Sequence, residues 1–175
     1  MRRGGSKLRD HRYIKLVGSL LLVVLISSLV FSRYGFLGSL SRDDAIYLYG
    51  GQQMAKGVPP YVSIFDHKGP LASMVSGMGV MLSQILNVSD VIGVRMTFLG
   101  VSLLAIIGLY LLAFDLFEDS YEMAFLTSFA FINFWGFGRH AVSGPDAKTV
   151  MVLFQVLALW LTVRQKWFWA GLSGA

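Results

Sequence analysis

The chain of 175 residues contains no cysteine. That excludes disulfides, thiolate metal sites and cysteine nucleophiles, while leaving the redox compartment open. Charge is scarce as well: 14% of residues are Asp, Glu, Lys or Arg, against 55% hydrophobic, and the mean hydropathy is +0.62. So little polar surface cannot solvate a globule, and the composition is that of an integral membrane protein. No fixed-period repeat or low-complexity tract is visible. The formal net charge of +5 does not point to nucleic acid. The cations gather at the N-terminus beside a hydrophobic segment, which is the ordinary orientation signal of a membrane helix.

What is present is a succession of apolar segments. The first, Ile14 to Ser32, reads "IKLVGSLLLVVLISSLVFS" and is long enough to cross a ~30 Å hydrocarbon core at ~1.5 Å per residue. Arg2, Arg3, Lys7, Arg9, Arg12 and Lys15 place residues 1–13 in the cytoplasm. No A-x-A-like site follows and the segment is long for a signal peptide, so an uncleaved span is expected. Further apolar segments run from Val91 to Phe114, from Met123 to Gly138 and from Thr149 to Val163. The last two are shorter than ~20 residues and need flanking aromatics such as Tyr121 or Trp167 to match a bilayer. The final "WFWAGLSGA" reads like another span that has just begun, so the chain is expected to be the N-terminal portion of a longer one.

The expected fold is therefore an all-α, polytopic transmembrane bundle in the cell membrane. Residues 14–32 form its first span and 33–90 an extracytoplasmic loop with juxtamembrane helices. Residues 91–175 carry helices two to four and the start of a fifth, with a second extracytoplasmic loop near 139–148. The segment Pro70 to Asn87, "PLASMVSGMGVMLSQILN", is open on sequence grounds, because its serines, glutamine and glycines make a weak hydrocarbon helix. If it crosses, Arg95, Arg139 and Lys148 join the N-terminal cations inside; if it does not, Arg164 and Lys166 do. The charge balance leans slightly toward crossing. The non-crossing arrangement instead puts the acidic stretch 115–122 inside and returns residues 139–148 to the side of the first loop.

That first loop holds the most polar long stretch, "SRDDAIYLYGGQQMAKGVPPYVSIFDHKGP", residues 41–70. Ser41-x-x-Asp44 has capping-box spacing, with Asp in place of the usual Glu or Gln, and predicts a helix start. Lys56-Gly57 followed by Pro59-Pro60 is a stop signal. Asp43 and Asp44 fall in the first turn, where the macrodipole favours carboxylates, so helix capping accounts for them as readily as catalysis does. Lys56, His67 and Lys68 suit a headgroup-facing loop. Asp66-His67 makes a poor metal site, having no matching ligand nearby.

The spacing of the whole stretch resembles the first extracytoplasmic loop of GT-C glycosyltransferases, which take sugars from polyprenyl-phosphate carriers. The likeness is to the branch containing aminoarabinose transferases, protein mannosyltransferases and the RgtA-like family. It rests on Asp43-Asp44, on Gly57-Val58-Pro59-Pro60-Tyr61 and on Phe65-Asp66-His67-Lys68-Gly69-Pro70. Lys-Gly-Pro stands where the family more often has Lys-Pro-Pro, and Asp-Asp where it more often has Asp-Glu. A second stretch, "GRHAVSGPDAKTVMVLF" at 138–154, is similar to the second extracytoplasmic loop of these enzymes and of oligosaccharyltransferase catalytic subunits. There an Arg precedes an acidic residue that opens the next span; Arg139 and Asp146 take those positions.

The resemblance covers about residues 14–165 and implies a juxtamembrane helix for 70–88, against the charge count. It also implies a division of roles. Asp43 is the candidate base that deprotonates the acceptor. Lys68, with Arg139 second, stabilises the lipid phosphate as it leaves. Asp44, Tyr61, His67 and Asp146 orient substrate. A divalent cation at Asp146, as in the oligosaccharyltransferase branch, is a possibility that the likeness to metal-independent enzymes does not favour, so no cofactor is expected. The expected partners are a polyprenyl-phosphate-linked sugar, membrane lipid and an acceptor, with no nucleic acid. Two other classes fit the residues: a non-catalytic membrane scaffold or assembly subunit, and a small-solute transporter. The transporter is disfavoured because the span interiors hold almost no ionisable residues.

Overall fold

The first apolar segment folds as part of α1, Gly4–Gly35. Among the described residues, its Tyr13–Arg33 portion is one of two helices long and apolar enough to cross a membrane. The computed structural model describes residues 4–36, 39–62, 69–138 and 144–175, with backbone alone for 4–12, 34 and 35. The described residues form helices and no strand. After α1 come α2 (Arg42–Ala55), α3 (Leu71–Leu86), α4 (Asp90–Leu116), α5 (Tyr121–Ile132), α6 (Ala147–Val163) and α7 (Trp167–Gly174).

The second membrane-length helix is α4, and it is the centre of the molecule. It packs on α1, α3, α5 and α6 and is far more buried than α1, although Ile92, Met96, Leu104 and Leu116 remain exposed. Ile106, Tyr110 and Ala113 meet Val23 and Phe31 of α1 and Ala124 and Ile132 of α5 in one core. Val94 and Phe98 meet Val80 of α3 and Val150 of α6 in a second. Inside the first core Ser19 and Tyr110 share a hydrogen bond of 2.5 Å, which satisfies two polar groups between apolar helices. By contrast α1 leaves Ile14, Val17, Leu21, Leu22, Leu25 and Leu29 exposed. An apolar face of that size suits lipid rather than water.

Polar contacts define the two ends of the assembly. At one end Asp115 accepts hydrogen bonds from Arg164 Nε at 2.6 Å and from Trp160 Nε1 at 2.7 Å, tying the end of α4 to the end of α6. Lys15 donates to the Tyr121 hydroxyl there, joining the early turns of α1 to the start of α5. At the other end lie the exit of α1, all of α2, and the starts of α4 and α6.

The apolar run expected from Met123 to Gly138 does not form one helix. Its helix stops at Ile132, with Asn133 as the cap. The Asn133 side-chain amide donates to the Phe129 carbonyl at 2.7 Å, the local competition that makes Asn a poor helix-interior residue. Residues 135–138 then form a separate helical turn. At 12 residues, α5 is only ~18 Å long.

The packing of residues 70–87 bears on the question that their sequence leaves open. They form a helix, α3, whose contacts with α4 centre on that helix's first turns. Gly79 lies against Val94, and Ser83 lies against Gly93. Its first residues, Leu71 and Ala72, share a cleft with Ala147 and Lys148 at the start of α6. Both ends of α3 therefore belong to the end of the molecule that carries α2.

Candidate functional site

The candidate site starts with a helix cap. The Ser41 hydroxyl accepts from the Asp44 amide at 3.2 Å, and the Asp44 carboxylate accepts from the Ser41 amide at 2.9 Å. The capping box is complete, satisfying two backbone donors that a helix start otherwise leaves open. At the far end Lys56 is the cap and Gly57 follows at φ 84°, a conformation suited to glycine. Within this frame Asp43 is exposed in the first turn of α2, and Asp44 is half-buried behind it. We expect Ser41→Ala to cost about 1 kcal/mol of α2 stability, seen as faster hydrogen exchange of the first-turn amides; unchanged exchange would contradict the cap.

The second stretch arrives at the same place. A Cβ added to Gly144 would lie 2.6 Å from Cγ and 2.7 Å from Oδ2 of Asp44. Only a residue without a side chain can approach that carboxylate so closely. Two residues later Asp146 is the N-cap of α6, its carboxylate accepting from the Lys148 amide at 2.9 Å. Asp43, Asp44 and Asp146 thus lie at one end of the molecule, on the first turn of one helix and the cap of another.

Asp44 and Asp146 both serve helix starts, and Asp44 forms the junction with Gly144. Tyr61 is half-exposed, with φ 66°. That left-handed backbone costs a non-glycine residue about 1–2 kcal/mol, and Asn87, Glu118, Asp119 and Gln165 share it, so it does not single out Tyr61. His67, Lys68 and Arg139 lie outside the described residues, so the phosphate-binding part of the expected set is not placed. Among the described residues no group of three His, Cys, Asp or Glu side chains is arranged to hold a metal.

Three contributors at this end escaped sequence reasoning. Asp90 accepts from Gln52 Nε2 and from Ser83 Oγ, each at 2.7 Å, joining α2, α3 and α4. Ser89-Asp90 before an apolar run was a legible helix start; its partners were not. Arg95, readable from the sequence only as an orientation charge, is buried and donates to the Phe36 carbonyl. Gly144 stood in the quoted second stretch without a distinguishing signal. An open cleft of about 640 Å³ adjoins the site, lined by Tyr47, Leu71, Lys148, Met151 and Phe154 among others. No family model, curated protein or solved structure matches the chain.

Proposed function

We propose that the chain carries the active site of a membrane glycosyltransferase of GT-C type. It transfers a sugar from a polyprenyl-phosphate-linked donor to a lipid, glycan or protein acceptor. The observation that supports this reading is the contact between Asp44 and Gly144. The two stretches that resemble the family's extracytoplasmic loops are far apart in sequence, and this contact puts them side by side.

In this reading the protein is multi-pass in the cell membrane, with a cytoplasmic N-terminus and the α2 end facing outward. α1, α4, α5 and α6 cross, and α2 and α3 lie at the outer surface. Asp43 takes the proton from the acceptor hydroxyl or amine as that atom attacks the anomeric carbon. The bond from the anomeric carbon to the phosphate oxygen breaks, and the polyprenyl phosphate leaves with the electron pair. The Lys68 ammonium and the Arg139 guanidinium offset the developing negative charge. Tyr61, His67, Asp44 and Asp146 orient the sugar and acceptor. No metal takes part in this scheme.

The test is transfer of labelled sugar by the membrane-embedded chain from a panel of polyprenyl-phosphate sugars. Failure with every donor and acceptor class would overturn the reading. A non-catalytic assembly subunit is the second reading, favoured by the use of Asp44 and Asp146 as helix caps; that role predicts a stable partner complex and no transfer.

Topology is checked separately, in a chain free of native cysteine. Thiols replacing Ser39 and Lys148, both exposed, should react with an impermeant maleimide from the outer face. A thiol replacing exposed Lys166 should react only from the cytoplasmic face. Labelling of 39 and 148 from opposite faces would separate the two loops and remove the site.

A further inference from the structure

Arg95 is the charged side chain least accounted for by this scheme. It sits in the second turn of α4, a helix apolar enough to cross a membrane, and is 3% exposed. A guanidinium so buried is not snorkelling to a headgroup, nor is it available as a surface orientation charge. Desolvating it is costly unless its donors are used.

Its contact with the end of α1 is specific. Its Nη1 donates to the Phe36 carbonyl at 2.6 Å, one position beyond Gly35, the last residue of α1. Helix C-termini leave carbonyls without intrahelical partners, and a cation there also complements the negative end of the macrodipole. Arg95 thus closes the end of α1 from a neighbouring helix. Only residues 37–41 separate that anchor from Arg42, where α2 begins. On its other side the first turn of α2 meets Gly144 through Asp44. The turn that carries Asp43 is bracketed between these two contacts.

We propose that Arg95 is a positioning residue, fixing the exit of α1 and hence the place at which the α1–α2 connection delivers Asp43. The proposal rests on the glycosyltransferase reading of that site. It does not require Arg95 to touch substrate. Removing the anchor leaves α2 packed on α3 through Gly51 and Ser76, so the expected damage is to geometry near Asp43 and not to the fold as a whole. Displacements of about 1 Å at a reacting group cost on the order of 100-fold in rate.

The test uses Arg95→Met and Arg95→Lys in the full chain, in bilayers, with two readouts. A spin label replacing exposed Ser39 reports the α1–α2 connection, and one replacing exposed Gln84 on α3 serves as control. Arg95→Met should raise mobility at 39 and leave 84 unchanged. It should also lower kcat by on the order of 10- to 100-fold with the donor KM unchanged, and Arg95→Lys should recover part of both effects. Unchanged mobility at 39 overturns the anchor. Raised mobility with wild-type kcat overturns the positioning role, as does equal loosening at 39 and 84 in both variants. Absence of transfer by the wild-type chain overturns the proposed function instead, while the label comparison still decides the anchor.

Discussion

Asp43→Asn should abolish sugar transfer, by about 100- to 10,000-fold if general-base catalysis is its whole contribution, while the protein inserts and accumulates normally. The substitution keeps size and shape but removes the ability to take up a proton, because an amide offers its oxygen only as a hydrogen-bond acceptor. The fold tolerates it because the cap of α2 is made by Ser41 and Asp44, one residue further on. Loss of the charge at the first turn removes a charge–dipole term of about 0.3–1 kcal/mol. Asp44→Ala is the informative contrast, since it should weaken the start of α2 and its junction with Gly144. Transfer of labelled sugar and the yield of folded protein separate the two. Near-normal transfer by Asp43→Asn would remove Asp43 as the base, whatever else the chain does.

The largest expected effect on stability comes from a glycine. A Cβ on Gly93 would meet the Gly79 carbonyl oxygen and come within 2.5 Å of Ser83 Cβ; one on Gly79 would come within 2.6 Å of Val94 Cα. These obstacles are backbone or the base of a side chain, so no rotamer change relieves them and α3 must move away from α4. Overpacking of this kind costs typically 1–3 kcal/mol, which for a chain of this size lowers Tm by roughly 2–12 °C. Gly93→Leu, with more volume to place, should sit at or beyond the upper end. Gly100→Ala on the same helix has nothing within 4 Å of its new methyl. It should be neutral or gain up to about 1 kcal/mol from helix propensity. Thermal unfolding in one detergent compares all three, and equal tolerance of Gly93→Ala and Gly100→Ala would mean that the α3–α4 packing is wrong.

The residues that could be read in advance were those whose signal is local. Ser41 and Asp44 announce a cap by spacing, Lys56-Gly57 a stop, and the long runs around Ile14–Ser32 and Val91–Phe114 announce helices by composition. What failed was local competition inside an apolar run: Asn133 ends α5 because its own side chain satisfies a carbonyl, a detail that hydropathy ignores. What could not be read was the pairing of distant groups. Asp90 with Gln52 and Ser83, Arg95 with Phe36, and Gly144 with Asp44 depend on how helices cross, which no single segment encodes. The candidate site is accordingly half legible: Asp43, Asp44 and Asp146 were named from sequence, but Asp90 and the glycine that allows two of the loops to touch were not.

The early stop of α5 also has a consequence for the surrounding lipid. At ~18 Å it is well short of a ~30 Å hydrocarbon core, and α6, at 17 residues, is nearer to that thickness. A bilayer accommodates a short helix by thinning beside it. In the proposed topology, where α5 crosses, the headgroup plane next to its end should then dip toward residues 134–138 and the acidic end of the molecule. On the proposed glycosyltransferase reading, a lipid-borne phosphate would meet the protein at that depression, and the lipid would help set the height at which substrate reaches Asp43.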